Sequence, residues 1–242
     1  MCSKFIHTSL LKKKNNIFHY FGSRSNALSP EEIQELELSQ VNRTLELFDH
    51  YVPDKIGPDN LVYMEQIHGN KIKNVEKADF LKETDGLITK RKDLYLIVRT
   101  ADCAPIFLYN EPSGTVAALH CGWRGTIKNI VEKTVQKMEK EYNINPSEVV
   151  VSIGPSLRKC CFEIGAEIIG EFGSNYIEKR KDKYYLKFID LIISKLVSQG
   201  INRKHIEVVG QCTRCNQDRF YSYRATKGQT GRMLNIIGMT DN

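Results

Sequence analysis

Residues 94–126 read LYLIVRTADCAPIFLYNEPSGTVAALHCGWRGT, and the interpretation of this stretch decides the fold. Two apolar runs, 94–98 and 115–119, have the pattern of buried strands. Each stops where chemistry can begin. The first runs into Thr100, Ala101, Asp102 and Cys103, the second into His120, Cys121, Gly122 and Trp123. Upstream, the largely apolar run 61–67 ends in His68-Gly69, so a strand leading into a polar ligand occurs a third time. A thiol and an imidazole at the mouths of neighbouring strands can share one ligand. The pattern predicts that His68, Cys103 and His120 meet in space.

Working outward, residues 106–109 supply another strand between the two runs. After them Ile127, Ile130, Val131, Val135 and Met138 recur at helical spacing with lysines between, which predicts an amphipathic helix over 126–142. Its free amides would point back at the proposed ligands, where an anion is favoured. On the upstream side, 61–67 and 71–75 flank His68-Gly69-Asn70 and suggest a hairpin, and 87–89 is a strand after the turn signal Thr84-Asp85-Gly86. Ser29-Pro30-Glu31-Glu32 is a helix-start signature, predicting a helix through Leu45 to Phe48. Strands are expected at 17–21, 149–153, 206–209, 220–223 and 233–237, and helices at 163–172 and 189–197, the latter closed by Gly200. No repeat or long linker divides the chain, so the expected architecture is one α/β domain over 1–242 with a mixed β-sheet core and flanking helices.

Composition narrows the class. A 41% hydrophobic fraction in 242 residues is ordinary for a globular protein with a sizeable core. The net charge of +6 is spread along the chain, and the run Lys179-Arg180-Lys181-Asp182-Lys183 is expected to be a solvated face. No nucleic-acid-binding pattern stands out and no apolar run approaches membrane-spanning length, so neither nucleic acid nor membrane is expected as a partner. Seven cysteines, an odd number in a chain that needs no stapling, fit a reducing, cytoplasmic setting with free or metal-bound thiols.

Two imidazoles and a thiolate from His68, Cys103 and His120 suit zinc and leave a fourth position for water, which becomes a nucleophile near neutral pH. The ligands lie at no short fixed interval, so buried cysteines and hydrogen-bonded histidines remain the plain alternative. So does a cysteine nucleophile, with Cys103 attacking and His120 as base. Asp102 can orient an imidazole in either scheme, or simply serve a turn. Cys212-Thr213-Arg214-Cys215 has the spacing of half a zinc site or a redox pair, but no second such pair exists. It therefore reads as structural, as do Cys121 and Cys160-Cys161. Arg24, Arg124, Arg224 and Arg232 sit in loop-like stretches beside glycine, serine or aromatic residues and are candidates to grip phosphate. Trp123, the only tryptophan, can stack on a base or pack in the core.

His68-Gly69, residues 100–105 (TADCAP), 120–126 (HCGWRGT), 154–156 (GPS), 160–165 (CCFEIG) and 221–224 (YSYR) followed by 230–232 (TGR) resemble the signatures of the YfiH or laccase-domain family, the multifunctional purine nucleoside phosphorylases. The likeness covers roughly residues 61–239, with the motifs in order. It implies zinc held by His68, Cys103 and His120; for the carboxyl acid-base group that zinc deamination needs, Asp102 is the nearest candidate in sequence. It also implies phosphorolysis of adenosine, inosine, guanosine and 5'-methylthioadenosine, and hydrolytic deamination of adenosine. Purine nucleosides and phosphate are then the ligands. The family's older name suggests copper and phenol oxidation instead, though six histidines with no His-x-His pair fall short of multicopper chemistry. The family's N-terminal Ser-Thr-Arg is represented here by residues 22–27, around Arg24.

Overall fold

The computed structural model describes residues 5–29, 31 and 56–240. The helix expected from Ser29 to Phe48 lies almost wholly outside these residues. In chain order the strands are β1 (Ile17–Tyr20), β2 (Ala27–Leu28), β3 (Leu61–Met64), β4 (Ile72–Asn74), β5 (Asp79–Leu81), β6 (Gly86–Thr89), β7 (Tyr95–Thr100) and β8 (Ala104–Asn110). They continue with β9 (Thr115–Cys121), β10 (Val150–Ile153), β11 (Glu163–Ile164), β12 (Ile177–Arg180), β13 (Lys183–Leu186), β14 (Ile206–Val208) and β15 (Arg232–Met239). The helices are α1 (Ser9–Lys12), α2 (Trp123–Ile127), α3 (Ile130–Tyr142), α4 (Phe188–Ser198) and α5 (Tyr223–Thr226).

Three sheets result. One runs β1-β15-β7-β3-β5, with β2 also on β15; the second runs β14-β10-β8-β9-β6-β4; the third is the small sheet β11-β13-β12. Both large sheets are mixed, since β3 is parallel to β5 and β7 while β7 is antiparallel to β15, and β10 is parallel to β14 but antiparallel to β8.

The burial of β8 and β9 explains the layering. Every residue of both strands is buried, because the second sheet is covered on both faces. Phe107, Tyr109, Val116 and Ala118 pack against Leu96, Val98, Ile237 and Met239 of the first sheet. Their alternating neighbours Ile106, Leu108, Ala117 and Leu119 face the opposite way, onto Ile130, Val131, Val135 and Met138 of α3 and Ile189, Ile192 and Leu196 of α4. The α/β architecture is thus sheet on sheet on helix. Among the described residues, no helix is long and apolar enough to cross a membrane.

Several local expectations change. β3 and β4 do not pair as a hairpin: β3 belongs to the first sheet and β4 to the second, and the chain between them crosses from layer to layer. The two strands of the opening stretch, β7 and β9, likewise lie in facing sheets, not side by side, with the turn after β7 feeding β8. The helix predicted over 126–142 begins earlier, at Trp123, and breaks at Asn129, whose φ of 63° is left-handed. Residues 163–172 form β11 and a 3-10 segment, Ala166–Glu171, in place of a helix. Residues 220–223 are a loop leading into α5, capped by the Ser222 side chain on the Ala225 N–H. The basic run 179–183 forms the β12–β13 turn, where Arg180 pairs with Glu178 at 2.6 Å and Lys183 with Glu163 at 3.0 Å on the surface.

Candidate functional site

The layer crossings place the chemistry. The β3-to-β4 crossing carries His68, the β7-to-β8 crossing carries Asp102 and Cys103, and β9 brings His120 to the same end of the second sheet, where its backbone partner is Pro105. His68 and Asp102 hold φ of 59° and 91°, a conformation costly for residues other than glycine. The ligand-capable atoms of His68, Cys103 and His120 lie within 4.8 Å of one another. The two imidazoles meet edge to face with centroids 4.7 Å apart. His68 is exposed, Cys103 half-buried and His120 buried, so the trio runs from solvent into the core.

Asp85, which sequence alone marks only as part of a turn, holds the trio. Its fully buried carboxylate accepts the backbone N–H groups of Ile67 (3.3 Å), His68 (3.0 Å) and Gly69 (2.7 Å), and pairs with His120 Nδ1 at 2.8 Å. Its carbonyl accepts the His120 N–H at 2.8 Å. Register makes this possible: Gly86 faces Leu119 across β6 and β9, which sets Asp85 beside His120. Burial alone would raise the Asp85 pKa, but the bond from His120 and the backbone donors hold it below its ordinary value. With Nδ1 committed to Asp85, His120 has Nε2 left to offer a metal, as in carboxylate–histidine pairs that support a metal ligand.

The thiol is tuned as well. Burial favours neutral Cys103, yet the charge and hydrogen bond of His120 and the bond from His68 outweigh it and bring the pKa down to about 6. Burial disfavours charge on His120, but Cys103 and Asp85 lift it to about 9. Cys121 takes no part. It is fully buried in the core beside the Thr126 hydroxyl, and burial pushes its pKa up to about 12.

The donor set fits zinc: two imidazole nitrogens and one readily ionised sulfur converge, with no fourth His, Cys, Asp or Glu grouped with them among the described residues. The ground between them is kept clear by Gly122, where a Cβ would lie 3.1 Å from Cys103 Sγ and 3.2 Å from His68 Cδ2.

The trio forms part of the wall of a cleft of about 450 Å3. Arg124, Arg224 and Arg232 line it, as do Arg99 and Gln66, which sequence reasoning missed; Arg24 does not, lying exposed against the Tyr221 ring with Nη1 on the Gln217 carbonyl. Arg124 stacks on the Trp123 ring at 4.3 Å, and Arg224 donates Nη1 to the Glu163 carbonyl at 2.8 Å. Tyr223 is 55% exposed at the rim, and Phe162 lines the wall. Asp102 lines the same cleft with both carboxylate oxygens engaged: one accepts from Thr213 Oγ1 at 2.5 Å and the other from the Arg224 N–H at 2.7 Å. Arginines and open aromatic faces around a soft-metal donor set can hold an anion and a flat heterocycle together.

Known proteins share the arrangement's scaffold. The chain is 35% identical over 179 residues to purine nucleoside phosphorylase CA_C1699 of Clostridium acetobutylicum, covering 72% of this chain and 75% of that one. It is 30% identical over 212 residues to purine nucleoside phosphorylase YlmD of Bacillus subtilis, covering 79% and 76%. Its fold superposes on the crystal structure of YlmD from Geobacillus stearothermophilus with a TM-score of 0.84 at 22% identity, over 100% of this chain and 98% of that one. A family model described as multi-copper polyphenol oxidoreductase laccase matches residues 23–240, and the chain belongs to that family.

Proposed function

We propose that this protein is a zinc-dependent purine nucleoside phosphorylase that acts on adenosine, inosine, guanosine and 5'-methylthioadenosine and also deaminates adenosine. The observation that carries the proposal is the open His68–Cys103–His120 trio in the wall of an arginine-lined cleft, in a chain whose relatives are named for the phosphorylase activity. A cleft of about 450 Å3 is of a size for a small-molecule ligand.

His68, Cys103 and His120 would hold the metal, which when bound supplies Lewis acidity at the cleft wall. Asp85 keeps His120 in the tautomer that offers Nε2 inward. Arg224 and Arg232 would take the phosphate oxygens, with Arg124 at the rim, while Tyr223, Trp123 and Phe162 offer faces for the purine. In phosphorolysis the phosphate oxygen bonds to ribose C1' as the C1'–N bond to the purine breaks, and the base leaves with a proton. In deamination, water displaces the C6 amine as ammonia. We assign Asp102 to positioning, since both its oxygens are engaged and it fixes the Arg224 backbone. A reducing cytoplasm suits the chain, whose six described cysteines are all free thiols.

Incubation of the zinc-loaded protein with adenosine and phosphate tests both reactions. Adenine with ribose 1-phosphate, and inosine with ammonia, are the expected products; neither pair appearing from a protein shown to carry zinc at the trio overturns the assignment. The low Cys103 and high His120 pKa values favour one other scheme, a metal-free cysteine nucleophile. A cysteine hydrolase survives chelation and dies on alkylation, whereas the zinc enzyme is lost on chelation and recovered with zinc.

A further inference from the structure

Cys160, Cys161, Cys212 and Cys215 have no part in the cleft chemistry, yet their four sulfurs lie within 4.8 Å of one another. Cys215 Sγ is 3.5 Å from Cys160 Sγ and 3.4 Å from Cys161 Sγ. A disulfide would need about 2.0 Å. Around zinc at about 2.3 Å, tetrahedral sulfurs stand roughly 3.8 Å apart, close to the spacing seen. We propose that these four cysteines form a second metal site, an all-thiolate zinc site separate from the His68–Cys103–His120 trio.

Two chain segments build it. The isolated parallel bridge between Ser156 and Cys212, with the Thr213 N–H on the Ser156 carbonyl at 3.1 Å, sets the segment after β10 beside the segment after β14. In the first, the N–H groups of Cys161 and Phe162 both close onto the Arg158 carbonyl at 2.8 Å, a tight turn that presents two consecutive thiols. In the second, the Asn216 N–H and the Asn216 side-chain amide both close onto the Cys212 carbonyl, at 3.2 and 2.8 Å, which folds the Cys-x-x-Cys segment back on itself. A divalent cation replaces the thiol protons on binding, so four converging thiols suit it. Cys160 and Cys215 are exposed and Cys212 is buried, so an ion can enter from solvent and be held from within. Arg158, Lys159 and Arg214 flank the cysteines in sequence and offset the negative charge of a four-thiolate centre.

The site's role follows from what its two segments carry. Thr213, next to Cys212, donates to Asp102, and Asp102 in turn accepts the Arg224 N–H. Phe162 and Glu163, next after Cys161, provide a cleft wall and the carbonyl that anchors the Arg224 guanidinium. Zinc across the four sulfurs would tie together the two segments that aim Arg224 into the cleft.

The test removes the trio and counts metal. A Cys103→Ser, His120→Ala double variant purified with zinc under reducing conditions should retain about one zinc per chain, with an X-ray absorption shell of four sulfurs at about 2.3 Å. In the otherwise intact chain, Cys212→Ser with Cys215→Ser should lower zinc from two per chain to one. Should that variant not fold, cobalt loading of the unsubstituted protein replaces it: a strong thiolate-to-cobalt charge-transfer band that persists in Cys103→Ser supports the site. A zinc-free trio variant, a shell with fewer than four sulfurs, bound iron, or disulfides among these cysteines under reducing conditions each overturns it.

Discussion

Replacing Asp85 with Asn separates the support of the trio from its ligands, because Asp85 is not itself one of them. Its carboxylate accepts four donors, two on each oxygen: His68 N–H and His120 Nδ1 on one, Ile67 and Gly69 N–H on the other. An amide keeps one oxygen, so either way round two donors face an NH2 group in a site with no exposure. Each buried donor left unpaired costs about 1–3 kcal/mol, so the metal-free protein should lose roughly 2–6 kcal/mol. At this chain length that lowers Tm by about 2–4 °C for each kcal/mol. The loss of the charged partner of His120 should independently weaken zinc at the trio by about 10–100-fold. Urea unfolding with a strong chelator present reads the first effect, and competition against a chromophoric chelator reads the second. Asp85→Asn binding zinc within about threefold of the parent, with the same unfolding midpoint, would refute the claim that this carboxylate organises the crossing and the imidazole.

Gly122→Ala tests the clearance beneath the donors: φ at this position is −90°, so the backbone accepts alanine, but the new methyl crowds Cys103 Sγ and His68. Zinc affinity at the trio should fall by roughly tenfold with little change in urea midpoint, as measured by the same competition. Arg224→Lys should raise the KM for phosphate by about tenfold while zinc content stays constant, because an ammonium cannot grip two oxygens in one plane; an unchanged phosphate KM would remove Arg224 from the phosphate site. His19 predicts an acid limb of stability. It is buried, accepts the Thr8 N–H on Nε2 at 3.1 Å, and its pKa is lowered to about 4 by burial and then by His7, against a smaller opposing pull from Glu207. Between its folded value and 6.5 the unfolded chain binds more protons, so stability is complete above about 6.5 and declines as pH falls towards 4, by at most about 3 kcal/mol. Urea midpoints across that range should slope accordingly, and His19→Gln should flatten the slope.

What could be read in the chain follows from which interactions are local. Burial on both faces makes β8 and β9 near-continuous apolar runs, and α3 declares itself by Ile130, Val131, Val135 and Met138 on one side. Sheet membership is not local, which is why residues 61–75 look like a hairpin: the turn at His68-Gly69 is closed by Asp85 from the bend just before β6, a partner no nearest-neighbour pattern reveals. Residues 220–223 carry strand-like aromatics, yet the Ser222 side chain caps a helix there. Three cleft arginines were visible as loop residues, while Arg99 was hidden within β7, where a lone charge in a strand gives no sign of which way it faces. Cys212 and Cys215 looked like half a site because the other half, Cys160-Cys161, is a vicinal pair and does not match the Cys-x-x-Cys template.

Two of the chain's crossings between sheets, β3 to β4 and β7 to β8, explain why a metal centre can form here at all. A ligand within a strand of a two-sided buried sheet points into one apolar layer or the other, and its neighbours on adjacent strands point the same way at fixed lateral spacing. Three donors converging on one atom need at least two of them released from that pleat. His68 and Cys103 are released because each lies where the chain leaves the first sheet for the second, and left-handed φ at His68 and Asp102 turns those crossings sharply enough to end beside His120. Such backbone is costly, and the Asp85 and Asp102 carboxylates offset the cost, Asp85 accepting three backbone N–H groups of the His68 crossing and Asp102 one, from Arg224 in α5, together with the Thr213 hydroxyl. Asp85, a turn residue in the sequence, and Asp102, its acid-base candidate, are therefore the residues whose removal should disperse the ligands.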